Sequence, residues 1–366
     1  MKTALFDVRH LYYLPQFLPV IDELLKRNNY AVYVTLSVAE GEEKENYFTH
    51  VFQDRQVHII RGKTEKKRLA VCSSLKPDIL FVGNTGKIHQ LTKGNTLKVM
   101  IYHGIGLKTS YYKDTSSDID IYAIESQERV DNMLAKGFKK KRLALCGFTK
   151  LDPLIKSCEK DPQNLLKEIG LDVDRKTVLY TPTFYPSSID KTVKSLRNND
   201  YDFNLIVKMH QFSWQLEKYR SHVEAISELG KKRNVYLIDK TEFNIIQYYS
   251  VSDLLLTDIS STLFEFLVLN RPIVQCLDFS FRKHHKLFPW LVNKRFDKAR
   301  MEKVNFTYQI NNADLLVESV NKILESPDEL KNARTKAISD FHFLPDGNAS
   351  RRLVDYIEAK LMDSTK

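Results

Sequence analysis

The chain has 366 residues, enough for two ordinary domains, and 43% of them are hydrophobic, which supports packed cores and excludes a disordered polyelectrolyte. Fifty-six Lys and Arg against 46 Asp and Glu give a formal charge of +10. That balance favours an anionic partner (nucleotide, phosphate polymer, nucleic acid or anionic lipid) over none, although a generally basic soluble protein carries the same sum. The four cysteines, Cys72, Cys146, Cys158 and Cys276, have no CxxC spacing, which argues against a zinc knuckle. Cys146 and Cys276 fall in apolar runs and are expected as buried thiols, a usage that fits a reducing cytoplasm.

Met1-Lys2 leads straight into an apolar run, too early for a signal peptide. No stretch reaches the roughly 18 apolar residues that a bilayer span requires, so any membrane contact is predicted to be peripheral. Short runs rich in Val, Ile, Leu, Phe and Tyr then recur at residues 3–8, 30–37, 57–60, 78–83, 98–103, 120–126 and 142–147. Their length and continuous hydrophobicity are those of buried strands. A helix is expected at 19–28, with Val20, Ile21, Leu24 and Leu25 on one face, and another at 127–136, ending before Gly137. Strand–helix alternation of this kind predicts a parallel sheet covered on both faces.

The pattern breaks between Asp152-Pro153 and Asp174, around a short helix at 164–169 closed by Gly170, and a second set of runs follows at 177–183, 203–210, 234–238, 253–257 and 272–277. The fold class expected is α/β: two doubly wound, Rossmann-like domains facing a cleft, the GT-B architecture. The predicted division is an N-terminal domain over 1–155, a C-terminal domain over 156–345 and a tail over 346–366. The amphipathic helix of that tail, 349–361, is expected to pack back on the N-terminal domain. Ligands of such sheets bind beyond the carboxyl ends of the strands.

Residues 253–270 are the most informative. An apolar strand ends at Thr257-Asp258; Ser260, Ser261 and Thr262 follow, and Leu263, Phe264, Leu267 and Val268 recur at helical spacing. A serine pair there is expected as an N-cap. The free amides and the positive end of the helix make the same point an anion site, with Glu265 one turn in, within reach of a ribose hydroxyl or a polyol. An ordinary capped helix is the alternative. In residues 99–108, His103 falls at a strand end beside Gly104 and Gly106, which allow a tight turn, and Lys108 closes the stretch. An exposed imidazole at that place can take a proton from an attacking hydroxyl; otherwise it is a histidine satisfied by a neighbouring carbonyl. Lys208 and His210 end another strand and can hold a phosphate as charge-assisted donors, or form a solvated strand end. Thr181-Pro182-Thr183 is either a nucleotide-phosphate loop or plain turn chemistry. A P-loop is excluded, since neither residues 104–109 nor residues 83–88 carry the Gly-x4-Gly-Lys-Ser/Thr spacing. Of the two Asp-x-Asp triplets, Asp172–Asp174 reads as a turn and Asp118–Asp120 precedes a strand, so no metal site and no cofactor is expected.

In this order the segments resemble the CDP-glycerol glycerophosphotransferase family of teichoic acid and capsule polymer synthesis. Residues 103–108 (HGIGLK) are similar to its His-Gly-Thr-Pro-Leu-Lys stretch, 147–152 (GFTKLD) to its Gly-Asn-Pro-x-x-Asp turn, and 181–183 to its Ala-Pro-Thr. Residues 208–211 (KMHQ) look like Arg-Pro-His-Pro, 257–265 like Thr-Asp-Tyr-Ser-Ser-x-x-Phe-Asp/Glu, and 346–352 (DGNASRR) like Asp-Gly-x-Ala-x-x-Arg. Gly106, Lys208, Met209, Gln211 and Ile259 depart from the family pattern.

The resemblance implies a GT-B transferase that moves a glycerol phosphate, or a related polyol phosphate, from a CDP-activated donor to a hydroxyl. His103 would be the base. His210 would join it in the chemistry by holding the donor phosphates, together with Lys208, Thr181, Thr183, Asp258, Ser260, Ser261, Thr262 and Glu265. Gly104, Gly106 and Lys108 would lie on the acceptor side. The implied partners are CDP-glycerol or another CDP-polyol, a lipid-linked saccharide or polyol-phosphate acceptor, and the anionic inner face of the cell membrane. Residues 138–142 (FKKKR) and 281–286 (FRKHHK) are the expected docking patches of a peripheral cytoplasmic enzyme. The nearest rival is a GT-B glycosyltransferase using a nucleotide sugar. Nucleic acid is not expected, because the Phe and Tyr residues sit in apolar runs rather than among the basic ones.

Overall fold

In a computed structural model, residues 1–106, 118–156, 162–282 and 297–363 are described. The chain divides into two compact units: Met1–His103, Tyr112–Lys156 and Asp340–Lys366 form one, and Gly104–Tyr111 with Ser157–Ser339 form the other. The fold is α/β of the GT-B type, each unit a parallel sheet flanked by helices.

The first sheet comprises β1 (Lys2–Val8), β2 (Tyr30–Leu36), β3 (His58–Ile60), β4 (Ile79–Val82), β5 (Leu97–Ile101), β6 (Ile121–Ile124) and β7 (Leu143–Leu145), in the spatial order β3-β2-β1-β4-β5-β6-β7. Every pairing is parallel. Ala4, Leu5, Phe6 and Val8 of β1 are all buried, as a strand covered on both faces demands. Phe6 stacks on Phe81 of β4 at 4.2 Å between ring centroids. The strand order reverses between β1 and β4, so the connections leaving these two strands diverge and open a binding crevice at their carboxyl ends.

The first helix starts at Leu14 and runs to Lys26, five positions ahead of the expected start. Pro19 lies inside it. A proline costs a helix one hydrogen bond, and here the burial of Leu14, Phe17, Val20, Ile21 and Leu24 on one face outweighs that loss.

The last helix, Ala349–Asp363, packs on the first. Arg27 bonds Glu358 at 2.6 Å and Asp355 at 2.5 Å, and the Tyr30 hydroxyl donates to Glu358 at 2.9 Å. Its start is capped from a distance. The buried carboxylate of Asp152 accepts the amides of Ala349 (3.0 Å) and Ser350 (2.8 Å) and the Ser350 hydroxyl (2.5 Å). Arg352 pairs with Asp346 at 2.9 Å and donates to the Cys146 carbonyl at 2.8 Å. Gly347, at φ +77°, has room for no larger residue without pressing on Lys156, whose Cγ would lie 3.0 Å from an added Cβ. The Asp-Gly-x-Ala-x-x-Arg element of the sequence is therefore a structural clasp.

The second sheet comprises β8 (Thr177–Thr181), β9 (Asn204–Val207), β10 (Val235–Leu237), β11 (Leu254–Thr257), β12 (Ile273–Cys276) and β13 (Tyr308–Ile310), in the order β10-β9-β8-β11-β12-β13, again wholly parallel. Its reversal lies between β8 and β11. The sequence reading misses β13, a three-residue edge strand in which only Ile310 is buried; three residues are too short a run for periodicity to identify. Helices Ile189–Asn198, Arg220–Leu229 and Leu316–Glu325 supply Val193, Leu196, Ile226, Leu229, Val317 and Val320 to the core beneath one face.

Replacing Asp152 strands two helix amides and a hydroxyl in the interior. Asp152→Ala is expected to lower the stability of the first unit by about 2–4 kcal/mol, read from denaturant melts followed by a probe in that unit. A loss under about 0.5 kcal/mol, the scale of an ordinary surface change, would contradict the clasp.

Candidate active site

The switch point of the second sheet is where most of the sequence-selected residues gather. At the end of β11 the Thr257 hydroxyl donates to the Thr181 carbonyl of β8 at 2.7 Å, and the Thr181 and Thr262 hydroxyls lie 2.7 Å apart. The next residue, Asp258, is fully buried. Its two carboxylate oxygens accept the Thr183 amide at 2.9 and 3.1 Å, which ties the connection after β8 to the connection after β11. Burial pushes the Asp258 carboxyl up to about 6, against the hydrogen bonds from Thr183 and Ser188 that hold it down. The Thr183 hydroxyl donates to the Pro186 carbonyl at 2.7 Å and closes a turn. Thr183 and Asp258 thus shape the loop from within rather than offering their side chains to a ligand.

Ser260, Ser261 and Thr262 are half-buried at the start of helix Thr262–Leu267. The expected side-chain cap by Ser261 is absent, because its backbone is already helical (φ −63°, ψ −21°), whereas a capping residue needs an extended backbone to turn its hydroxyl onto the amides. Ser260 makes a long contact instead, accepting the Thr262 amide at 3.4 Å. Glu265, expected to reach a ribose or polyol hydroxyl, is buried and accepts the Tyr249 hydroxyl at 2.9 Å. In this arrangement it braces the helix.

On the adjacent strand, Lys208 follows β9, half-buried, with its ammonium on the Glu242 carbonyl. His210 begins the helical turn Gln211–Gln215 and accepts the Phe212 amide at Nδ1, 3.1 Å away. With Nδ1 so occupied, the proton of the neutral ring sits on Nε2, which makes that edge a hydrogen-bond donor. Phe184 and Phe212 flank the ring at 4.7 and 5.2 Å. Three neighbouring strand ends thus bring together Lys208 and His210, Thr181, and Ser260, Ser261 and Thr262. The set carries one fixed positive charge and several neutral donors, a set suited to a diphosphate.

In the first unit His103 is exposed just beyond β5, with Tyr12 edge-on at 5.1 Å and Tyr13 at 5.6 Å. The sequence reading passes over this setting. Residues 9–13 (RHLYY) lie directly after β1, at the switch point of the first sheet, and that position was the available signal. His10 stacks on Tyr12 at 5.2 Å and contacts Glu40 through Nδ1 at 3.1 Å. Asn84, after β4, donates to the Tyr13 hydroxyl at 2.8 Å and accepts from Arg9 at 3.0 Å. Gly83 gives way to the Tyr13 ring, which an added Cβ would meet at 2.6 Å. Gly104 and Gly106 are buried and belong to the second unit, where the Gly106 carbonyl accepts from Arg300 at 3.1 Å. Lys108 lies outside the described residues.

The Asp-x-Asp carboxylates have local partners: Asp120 accepts the Lys98 amide at 2.9 Å, Asp118 lies 3.1 Å from His89, and Asp172 accepts the Asp174 amide at 3.1 Å in a turn. Among the described residues no three His, Cys, Asp or Glu side chains converge as metal ligands. Lys139, Lys140 and Lys141 are exposed, while residues 283–286 of the second basic patch lie outside the described set. No helix among the described residues is long and apolar enough to cross a membrane.

A doubly wound fold with a hydroxyl- and cation-lined switch point defines a protein built to bind an anionic, nucleotide-type ligand beyond its strand ends. Residues 64–359 match the family model described as CDP-glycerol:poly(glycerophosphate) glycerophosphotransferase, and the chain belongs to that family of transferases. It is similar to the teichoic acid glycerol-phosphate transferase of Staphylococcus aureus, 22% identical over 85% of this chain and 82% of the relative. It is also similar to the teichoic acid poly(glycerol phosphate) polymerase of Bacillus spizizenii, 26% identical over 59% of this chain and 53% of that protein, so that match spans about half of the longer relative. Among solved structures, a variant of the wall teichoic acid polymerase TagF superposes with a TM-score of 0.72 at 14% identity, covering all of this chain and 90% of that one. UDP-GlcNAc 2-epimerase from Neisseria meningitidis gives 0.62 at 18% identity, with 98% of this chain and all of that one covered. At such identities the structural likenesses establish the fold.

The raised Asp258 carboxyl makes stability depend on pH with a definite sign. A folded-state value near 6 against an ordinary 3.8 means that the group's stabilising contribution is whole below the lower value and is lost as pH rises through the upper one. The stability of the wild type relative to Asp258→Asn is therefore expected to fall by up to about 3 kcal/mol between about pH 4 and pH 6.5, measured by denaturant melts at each pH. A difference independent of pH would contradict the buried, shifted carboxyl.

Proposed function

We propose that the second unit binds CDP-glycerol through its diphosphate and that the first unit presents the acceptor, a lipid-linked saccharide or a polyol-phosphate chain, with His103 as general base. The observation that carries this reading is the family match over residues 64–359. The hydroxyls and the Lys208 ammonium at the β8–β9–β11 ends support it from the chemical side.

Transfer proceeds by displacement at the β-phosphorus. The acceptor oxygen forms a new bond to phosphorus, its proton passes to His103, and the bond to CMP breaks, with the electron pair leaving on CMP. The charge growing on the phosphates is met by the Lys208 ammonium, the Nε2–H of His210 and the hydroxyls of Ser260, Ser261 and Thr262. Preorganised donors of this kind act without reorganising during the reaction. Thr181 holds Thr262 in place, and Thr183 and Asp258 set the loop. Lysine at position 208 supplies charge without the two-point fork of an arginine, so the phosphate is held as a point charge. Lys139, Lys140 and Lys141, exposed beside the last helix, suit a peripheral position on the anionic cytoplasmic leaflet, at about 1 kcal/mol for each cation near the surface.

His103→Ala is expected to slow transfer by about 10²–10⁴ while calorimetric affinity for CDP-glycerol stays near wild type; turnover within a few-fold of wild type would remove His103 from the chemistry. The paired change Ser260→Ala with Ser261→Ala is expected to weaken CDP binding more than any shift in melting temperature accounts for. Unchanged CDP affinity would move the diphosphate elsewhere. Transfer is expected to survive EDTA; activity lost on chelation and restored by magnesium would overturn the displacement as written.

A further inference from the structure

Arg282 lies in the segment that follows β12, and that segment is laid onto the loop after β8. The Ser280 amide donates to the Ser187 carbonyl at 3.0 Å, and the two residues form an isolated antiparallel bridge. The Arg282 amide donates to the Tyr185 hydroxyl at 3.3 Å. Its guanidinium then stacks over the Tyr185 ring, 4.1 Å from the centroid, lies 5.4 Å from the centroid of Tyr219, and donates through Nη2 to the Tyr219 hydroxyl. Tyr219 is 5.8 Å from Phe184, and Phe184 is 4.7 Å from His210. The arginine and His210 thus belong to one aromatic layer at the carboxyl end of the sheet.

Several guanidiniums of the unit are matched locally. Arg175 is matched by Asp172 and Asp202, and Arg220 by Glu217 and Glu224. Arg271 is used up on the carbonyls of Tyr249, Ser250 and Ser252. Arg282 has no carboxylate partner among the described residues, and one of its five N–H donors is engaged, by a neutral hydroxyl. Stacking between tyrosines fixes the side chain before any ligand arrives, so little rotamer entropy remains to be lost on binding. A preorganised, half-buried guanidinium with unused donors and no carboxylate partner among the described residues is the chemistry that recognises a phosphate.

We infer that Arg282 is a phosphate-binding residue of this transferase, an inference that rests on the glycerophosphotransferase reading above. The phosphate is one of the donor diphosphate or one already carried by the acceptor.

The test titrates CDP-glycerol and cytidine calorimetrically into wild type, Arg282→Gln and Arg282→Lys, and measures KM for a short lipid-linked acceptor bearing one glycerol phosphate. If the donor supplies the phosphate, Arg282→Gln weakens CDP-glycerol binding by about 10- to 100-fold, the loss of a charge-assisted bond, leaves cytidine binding unchanged, and is partly rescued by Arg282→Lys. If the acceptor supplies it, CDP-glycerol binding stays and the acceptor KM rises by a similar factor. Should the glutamine variant fold poorly, Tyr219→Phe, which keeps the ring and removes the hydroxyl, is expected to give a smaller loss in the same parameter. Unchanged affinity and KM in the variants, or an equal loss for cytidine and CDP-glycerol, would make Arg282 a strap for the loop and overturn the assignment alone. A wild type that does not bind CDP-glycerol overturns the functional reading as well.

Discussion

The second unit is organised by one buried carboxylate on one amide. Asp258, at the end of β11, has no solvent to stabilise its charge, and the Thr183 amide, with a longer contact from Ser188, takes that role. The consequence is geometric. The loop after β8 must pass directly over the end of β11, which brings Thr181 against Thr262, sets Phe184 beside His210, and leaves Ser187 placed to receive Ser280. Gln275 of β12 secures the same point from the other side by donating to the Asp258 carbonyl at 2.8 Å. Residues from four strand ends depend on this single tie.

The electrostatic character of the site follows from what the tie leaves available. Asp258 and Glu265, the acids nearest the switch point, are turned inward, one onto an amide and one onto a tyrosine hydroxyl. What remains on the edge is an ammonium, an imidazole whose Nδ1 is already occupied, and three hydroxyls. An anion approaching this edge meets the Lys208 ammonium, the His210 ring and the hydroxyls, while Asp258 and Glu265 are engaged inside the unit. The first unit repeats the topology with a different lining: at its switch point Arg9, His10, Tyr12, Tyr13 and Asn84 surround the exposed ring of His103 in a chain of hydrogen bonds and aromatic contacts.

Much of this was legible in the sequence because doubly wound sheets write themselves plainly. Continuous apolar runs mark strands buried on both faces, and function concentrates just beyond each run. That rule selected Thr181, Lys208, His210 and Ser260, which the structure gathers at neighbouring strand ends. Three features escaped it for physical reasons. Asp258 and Glu265 are polar residues whose roles depend on burial, and nothing in the string tells a buried carboxylate from an exposed one. Ser261 has the composition of a cap but the backbone of a helix, a difference that lies in φ and ψ alone. Arg282 sits in a basic run and reads as solvated charge until the tyrosines from two distant loops come into view. The Asp-Gly-x-Ala-x-x-Arg element carried the resemblance, yet the structure gives it to the anchoring of the last helix on Asp152.

The central claim is that this chain moves a glycerol phosphate from CDP-glycerol to an acceptor hydroxyl. Mass spectrometry of a lipid-linked disaccharide acceptor, incubated with the enzyme and CDP-glycerol while CMP release is followed, tests it directly. The account predicts that the acceptor gains glycerol phosphate units in one-to-one ratio with the CMP released, and that UDP-sugars offered in the same mixture are left intact. An acceptor that gains a sugar from a UDP-sugar, with CDP-glycerol unconsumed, would contradict it.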